Sequence, residues 1–194
     1  MATKTTEERP RASEARERLL RVASDLFYRD GINTVGVDRI LNEADVTRAT
    51  LYRHFPGKEG LVEAYLDRED ETIRGYFASG EAHATSPQHY LELVIGGIAE
   101  DALHHHTRGC PFINASAEYP DPDSPIRQRV RRHREWFRQA LESALAAAGK
   151  SDPADRARTL VLLRDAALVG GYLDGPDTVR MTFQKAARTV AGLE

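Results

Sequence analysis

The sequence contains a single cysteine, Cys110, among 194 residues. A lone cysteine closes no internal disulfide, so a small fold stapled by bridges is excluded. Long apolar runs are also missing. The most apolar stretches, Leu160–Leu163 and Ala166–Gly171, fall far short of the roughly 20 residues that a membrane-spanning helix needs. The opening segment MATKTTEERP lacks the apolar region of a secretory signal. The expectation is a cytoplasmic chain with no membrane partner. Charge of one sign is scarce too: 27 Lys+Arg stand against 30 Asp+Glu, a formal net charge of −3. The chain as a whole is therefore not a general polyanion binder. Any nucleic-acid site must be a local cluster, and the acidic remainder suits rejection of nonspecific DNA.

What is present is the ordinary balance of a globular protein, 41% hydrophobic and 29% charged. The length fits one domain with a small appendage. Residues 1–11 are polar and without periodicity, and read as a disordered tail. From there on, apolar residues recur at helical spacing. Ala15, Leu19, Ala23, Leu26 and Phe27 predict a first helix over about 12–30, stopped by Gly31. Val37, Ile40, Leu41 and Ala44 predict a short second helix. Thr47 can cap a third that holds Leu51 and Phe55 at i, i+4, and Pro56-Gly57 ends it. A fourth helix is expected from Lys58 to about Ser79 and a fifth from Pro87 to His106, with Gly96 and Gly97 weakening it or allowing close packing. Further helices are predicted from Pro111, from Ile126 to Leu145, from Pro153 to Leu173, and through Val179–Val190. Strand alternation and internal repeats are absent, so the fold class is all-α with nine helices.

Two short helices joined by a tight turn, between a first helix and a long fourth one, form a helix-turn-helix arrangement. With Leu51 and Phe55 turned inward, the third helix presents Ala49 and Arg53 outward, flanked by Thr50 and Tyr52. Arg48 stands at its N-terminal end. Arg can bond guanine O6 and N7, Thr can touch a base or a thymine methyl, and a small Ala49 lets the helix approach the groove closely. Tyr52, His54 and Lys58 are in place to meet phosphates, Lys58 with help from the positive end of the fourth helix.

The run from Ala44 to Leu61 (ADVTRATLYRHFPGKEGL) resembles the signature of the TetR family of bacterial transcriptional regulators, and the resemblance covers about residues 12–66. It implies that Arg48, Ala49 and Thr50 lie near bases, that Thr47, Tyr52, His54 and Lys58 meet the backbone, and that Arg53 occupies a position varying with the operator. Asp45 departs from the Gly usual in the turn, but its short side chain tolerates a left-handed backbone. Gly36 stands where Thr or Ser usually caps the second helix, at a cost of only a few tenths of a kcal/mol. The implied domains are 12–57 for DNA binding and 58–194 for effector binding and dimerisation. The implied function is a homodimeric regulator, in the family's commoner habit a repressor, released from a palindromic operator by an unidentified small-molecule effector.

For the effector, Phe77, His83, Tyr90, Phe112, Asn114, Trp136 and Phe137 offer aromatic walls with a few polar points, with Cys110 close by. For the dimer, the eighth helix is apolar on more than one side, and Leu160, Leu163, Ala167, Leu168 and Gly171 with Val179, Phe183 and Val190 are the candidates. His104, His105 and His106 invite a metal reading. Successive residues of a regular helix point about 100° apart, however, so no metal site is expected, and no cofactor either. Arg127, Arg129, Arg131, Arg132 and Arg134 read as a solvated helix face. The alternatives are a DNA-binding architectural protein without effector control, and a metal-dependent enzyme built on the histidines. Against the enzyme, the chain has no H-E-x-x-H, nucleophile elbow, P-loop or dinucleotide fingerprint.

Overall fold

A computed structural model describes residues 8–193. Among them the elements run α1 (Glu8–Asp30), α2 (Val37–Ala44), α3 (Arg48–His54), α4 (Gly57–His83), α5 (Pro87–Glu100), a π-helical turn (Asp101–His105), α6 (Pro111–Glu118), α7 (Pro125–Ala147), α8 (Pro153–Asp174) and α9 (Pro176–Ala191), with no strand. Each helix from α5 to α9 opens on a proline. At that first position the missing N–H would have had no helical partner, and the fixed φ is already helical. α1 begins at Glu8, inside the segment expected to be a tail, because Pro10 in its first turn forfeits no hydrogen bond. Residues 1–7 of that expected tail lie outside the described residues. α4 runs four residues past the predicted stop, to His83. The fifth helix does not continue regularly to His106 but widens into the π turn, where the His106 amide bonds the Asp101 carbonyl at 2.9 Å.

The chain divides into two compact units. The first comprises the residues through Arg68 together with Ala115–Arg129. Its core takes Leu19, Ala23, Leu26 and Phe27 from α1, Ile40, Leu41 and Ala44 from α2, Leu51 from α3, and Leu61, Val62, Tyr65 and Leu66 from α4. The first turns of α4 belong here because these side chains are buried in this core, with the Tyr65 ring 6.0 Å from that of Phe27. Glu118 closes the loop after α1, its carboxylate accepting the amides of Ile32 at 2.8 Å and Asn33 at 2.5 Å.

The second unit comprises Glu69–Asn114 and Val130 onward. α8 packs chiefly on α9, and closely. A Cβ placed on Gly170 would sit 3.1 Å from Val179 Cγ1. Phe77 meets Trp136 and Phe137 edge-on, with centroids 5.3 and 5.5 Å apart, and the Arg74 guanidinium lies 4.0 Å over the Trp136 ring.

Candidate nucleic-acid interface

The turn between α2 and α3 is made by Asp45, whose φ of 50° and ψ of 55° are left-handed. Its amide meets the Asn42 carbonyl at 3.2 Å and its own carbonyl accepts from Arg18 Nη2 at 3.1 Å. Gly36 caps α2 with no side-chain bond. Thr47 caps α3, its Oγ1 accepting the Thr50 amide at 3.2 Å and lying 3.0 Å from Thr50 Oγ1. This pairing holds the Thr50 hydroxyl against the helix start. Leu51 and Phe55 are buried, which fixes the rotation of the helix and turns Arg48, Ala49, Tyr52 and Arg53 to solvent. Tyr52 is 58% exposed, far more than a core tyrosine would be.

Two residues of the expected set stand differently. Arg48 is not free: Asp38 of α2 pairs with its guanidinium. Its other guanidinium donors stay open to a base, but the Asp38 carboxylate competes for the charge. His54 is half-buried, with Nε2 enclosed and unpartnered, so the phosphate contact expected of it cannot form at that atom without movement. Burial, with Arg53 and Arg16 nearby, also lowers its pKa and disfavours the charged ring. Lys58 lies in the first turn of α4, where burial pulls the ammonium below its usual value against the opposing pull of Glu118. The entry to α4 depends on two glycines. Gly57 has φ +78°, and a Cβ on Gly60 would meet Pro56 Cδ at 2.4 Å.

In the second unit, an inner cavity of 50 Å³ is lined by Ile73, Phe77, Leu93, Ile98, Phe137 and others, with Asp101 and Arg164 as its charged walls. A cleft of 310 Å³ shares Tyr76, Gly80, Leu93, Gly97 and Asp101 with it and reaches His83. A separate cleft of 710 Å³ is lined by Phe77, Tyr90 and Trp136. Of the expected effector residues, Cys110, Phe112 and Asn114 line none of these. Phe112 is fully buried and stacked on His133 at 3.7 Å, Asn114 bonds the Arg108 carbonyl at 3.2 Å, and Cys110 is buried beside Arg164. Gly96 and Gly97 permit no close packing, since a Cβ on either would find nothing within 4 Å.

The three histidines diverge, the first two in the π turn and His106 just past its end. His104 faces Glu100 at 3.3 Å, His105 lies 6.0 Å from the Tyr76 ring, and His106 points inward. His106 Nδ1 is 2.8 Å from Asp101 and Nε2 3.1 Å from Glu69. Burial lowers its pKa, but these two carboxylates outweigh burial and raise it to about 9. His133 behaves oppositely. Burial dominates over its 2.7 Å bond to Asp70, Arg164 and Arg74 add repulsion, and the pKa falls to about 4. It is thus a neutral ring donating Nδ1–H to Asp70 rather than half of an ion pair. Among the described residues no group of three or more His, Cys, Asp or Glu is placed to hold a metal ion, and no helix is long and apolar enough to cross a membrane.

Residues 19–65 match the family described as bacterial regulatory proteins, tetR family, and residues 94–161 match the tetracyclin repressor-like C-terminal domain. The crystal structure of SCO4454, a TetR-family transcriptional regulator from Streptomyces coelicolor, superposes with a TM-score of 0.88 at 43% identity, covering 92% of this chain and 95% of that one. The chain belongs to the TetR family. The HTH-type transcriptional regulator LmrA of Bacillus subtilis is 26% identical over 163 residues, 82% of this chain and 85% of LmrA. SrpR of Pseudomonas putida is 38% identical over 123 residues, 55% and 56% of the two chains. As a TetR-family member the protein is a transcriptional regulator whose helix-turn-helix, α2–α3, binds DNA.

Of the candidate dimer residues, Leu160, Ala167, Leu168, Gly171 and Phe183 are buried within the single chain and so offer little to a partner, while Leu163, Val179 and Val190 are only half-buried. The outward apolar side chains are Leu162, Val169, Tyr172, Leu173 and Met181. The arginines of α7 are likewise not a plain solvated face. Arg129 bonds Glu63 at 2.9 Å and pairs with Asp67, and Arg134 holds Asp165 through two bonds of 2.7 and 3.1 Å. Sequence reasoning also passed over Asp38 and Arg164. Arg164 shares the stripe of Leu160, Ala167 and Leu168, at i−4, i+3 and i+4, and that stripe is the buried one.

Proposed function

We propose that this regulator is a homodimeric repressor, released from a palindromic operator by a small-molecule effector, with residues 12–57 reading DNA and 58–194 serving effector control and dimerisation. The observation that carries the dimer is the outer stripe of α8. Val169 follows Leu162 by seven residues, and Tyr172 and Leu173 follow Val169 by three and four, so all four share one helix face and are exposed, which is costly in water unless a partner covers them. One exposed recognition helix per chain favours the same arrangement, because two-fold pairing sets two such helices on one face of the duplex, about 34–36 Å apart. The match of residues 94–161 to a tetracyclin repressor-like domain supports repression and effector control. Effector control is further supported by α4, one uninterrupted helix that carries Lys58 in its first turn and cavity-lining Ile73 and Phe77 near its end.

The test is a footprint on the promoter of the protein's own gene, with light scattering of the same preparation. We expect a two-fold symmetric protected site and a dimer mass, with Arg48→Ala and Thr50→Ala each relaxing base preference by about 1–3 kcal/mol. A monomer giving full protection, or a base profile unchanged in both variants, overturns the reading. Scattered protection with no promoter response would replace it with an architectural role.

A further inference from the structure

Arg164 is 3% exposed, yet it lines an otherwise mostly apolar cavity and its Nη2 has no hydrogen-bond partner. Its other contacts are weak ones. Nη1 donates to the Cys110 sulfur at 3.3 Å and reaches Asp165 only at 3.5 Å, and the guanidinium stands 5.0 Å over Phe137. Asp165 is already committed, through both oxygens, to Arg134. Two guanidiniums therefore share one carboxylate, which leaves an excess positive charge in a place where water cannot screen it. A buried guanidinium with an open donor is costly unless something completes it, and its planar fork fits a carboxylate. The cavity's other charged wall, Asp101, meets the His106 imidazole at 2.8 Å but shares it with Glu69 and keeps Oδ1 buried without a hydrogen-bond partner, so the cavity presents one open donor and one open acceptor.

Resting on the effector reading above, we propose that the cavity binds a small amphipathic organic acid, its carboxylate seated on Arg164 Nη2 and its apolar body among Ile73, Phe77, Leu93 and Phe137. The inner cavity is small, but the 310 Å³ cleft that shares Tyr76, Gly80, Leu93 and Gly97 with it gives an apolar tail a way out between α4 and α5. Gly97 has no neighbour within 4 Å of a would-be Cβ, so a larger side chain there enters this opening rather than the core.

Octanoate and phenylacetate, each paired with its amide (octanamide, phenylacetamide), test the assignment by calorimetric titration of the full-length protein at pH 7. At least one acid is expected to bind roughly 10- to 100-fold more tightly than its amide, the worth of a charge-assisted bond. Arg164→Gln is expected to bring that ratio close to one. Gly97→Leu leaves the charges untouched and replaces a helical glycine by a better helix former; it is expected to weaken acid and amide alike while the unfolding temperature does not fall. Equal binding of acid and amide, an acid preference that survives Arg164→Gln, or no binding by any of the four probes overturns the proposal. Operator affinity measured alongside separates the two readings. An acid that binds with the expected preference but leaves operator affinity unchanged keeps the site and removes its regulatory role.

Discussion

The two buried histidines of the second unit are expected to give its stability opposite pH dependences on either side of about pH 6.5. His106 has its pKa raised to about 9, against about 6.5 in an unfolded chain. Its pairing with Asp101 and Glu69 is therefore fully present below pH 6.5 and is lost as pH rises through 9. The separation of about 2.5 pKa units corresponds to roughly 3 kcal/mol across that window. His133 has its pKa lowered to about 4. The stability of its neutral ring is present above pH 6.5 and is lost as pH falls through 4, by a similar amount of roughly 3 kcal/mol. Trp136 is the only tryptophan of the chain and lies in this unit, 6.0 Å from His133, so its fluorescence follows urea unfolding of the unit itself. The quantity to measure is the difference between wild type and His106→Gln at pH 6, 7.5 and 9, because subtraction removes what the two proteins have in common. The difference is expected to be largest at pH 6 and to shrink toward pH 9. A difference that stays constant or grows with pH would refute the ion-paired assignment of His106. The matching experiment with His133→Gln is expected to show its effect diminishing from pH 7 to pH 4.

Three further outcomes are expected. Asp38→Asn removes the carboxylate that holds Arg48 and one negative charge from the helix-turn-helix; the pair is largely exposed, so the gain is about 0.2–1 kcal/mol, read as a few-fold tighter binding to all sequences in fluorescence anisotropy at 100 mM salt. Gly60→Ala forces a Cβ into the Pro56 ring and is expected to destabilise the first unit by about 1–3 kcal/mol in chemical denaturation, with operator affinity falling because the start of α4 shifts; an unchanged unfolding midpoint refutes the contact. Val169→Glu charges the outer stripe of α8 and is expected to yield a folded monomer by light scattering, whereas Leu168→Glu buries a charge and is expected to lose helical signal before dimer mass can be assessed.

The helix-turn-helix was legible because its information is local. The Leu51–Phe55 spacing sets the rotation of α3, the Thr47 hydroxyl reaches an amide three residues on, and Asp45 needs only a short side chain to adopt φ 50°. Each of these is decided within four residues. What was missed depends on partners farther away. Asp38 meets Arg48 ten residues along, and Glu118 caps amides 85 and 86 residues away. The widening of the fifth helix at Asp101 was unreadable for a related reason. The residues there suit an ordinary helix; in the π turn His106 comes to lie between Asp101 and Glu69, the latter 37 residues distant.

Helix α8 shows how a correct inference about composition can attach to the wrong side chains. Its apolar residues exceed what one core face needs, and from this a partner helix follows. Periodicity then offers two stripes, Leu160–Ala167–Leu168–Gly171 and Leu162–Val169–Tyr172–Leu173, without saying which one faces inward. Burial resolves the choice. Leu160, Arg164, Ala167, Leu168 and Gly171 are buried, small and large side chains together, while Leu162, Val169, Tyr172 and Leu173 are exposed. The close approach to α9 is made at Gly170, beside Val179. The first stripe therefore belongs to the fold, and the second is left for another surface. Arg164 obscured this pattern, since a charge on one stripe ordinarily marks the side that faces water. Here it stands on the buried side, between Cys110, Asp165 and the Phe137 ring.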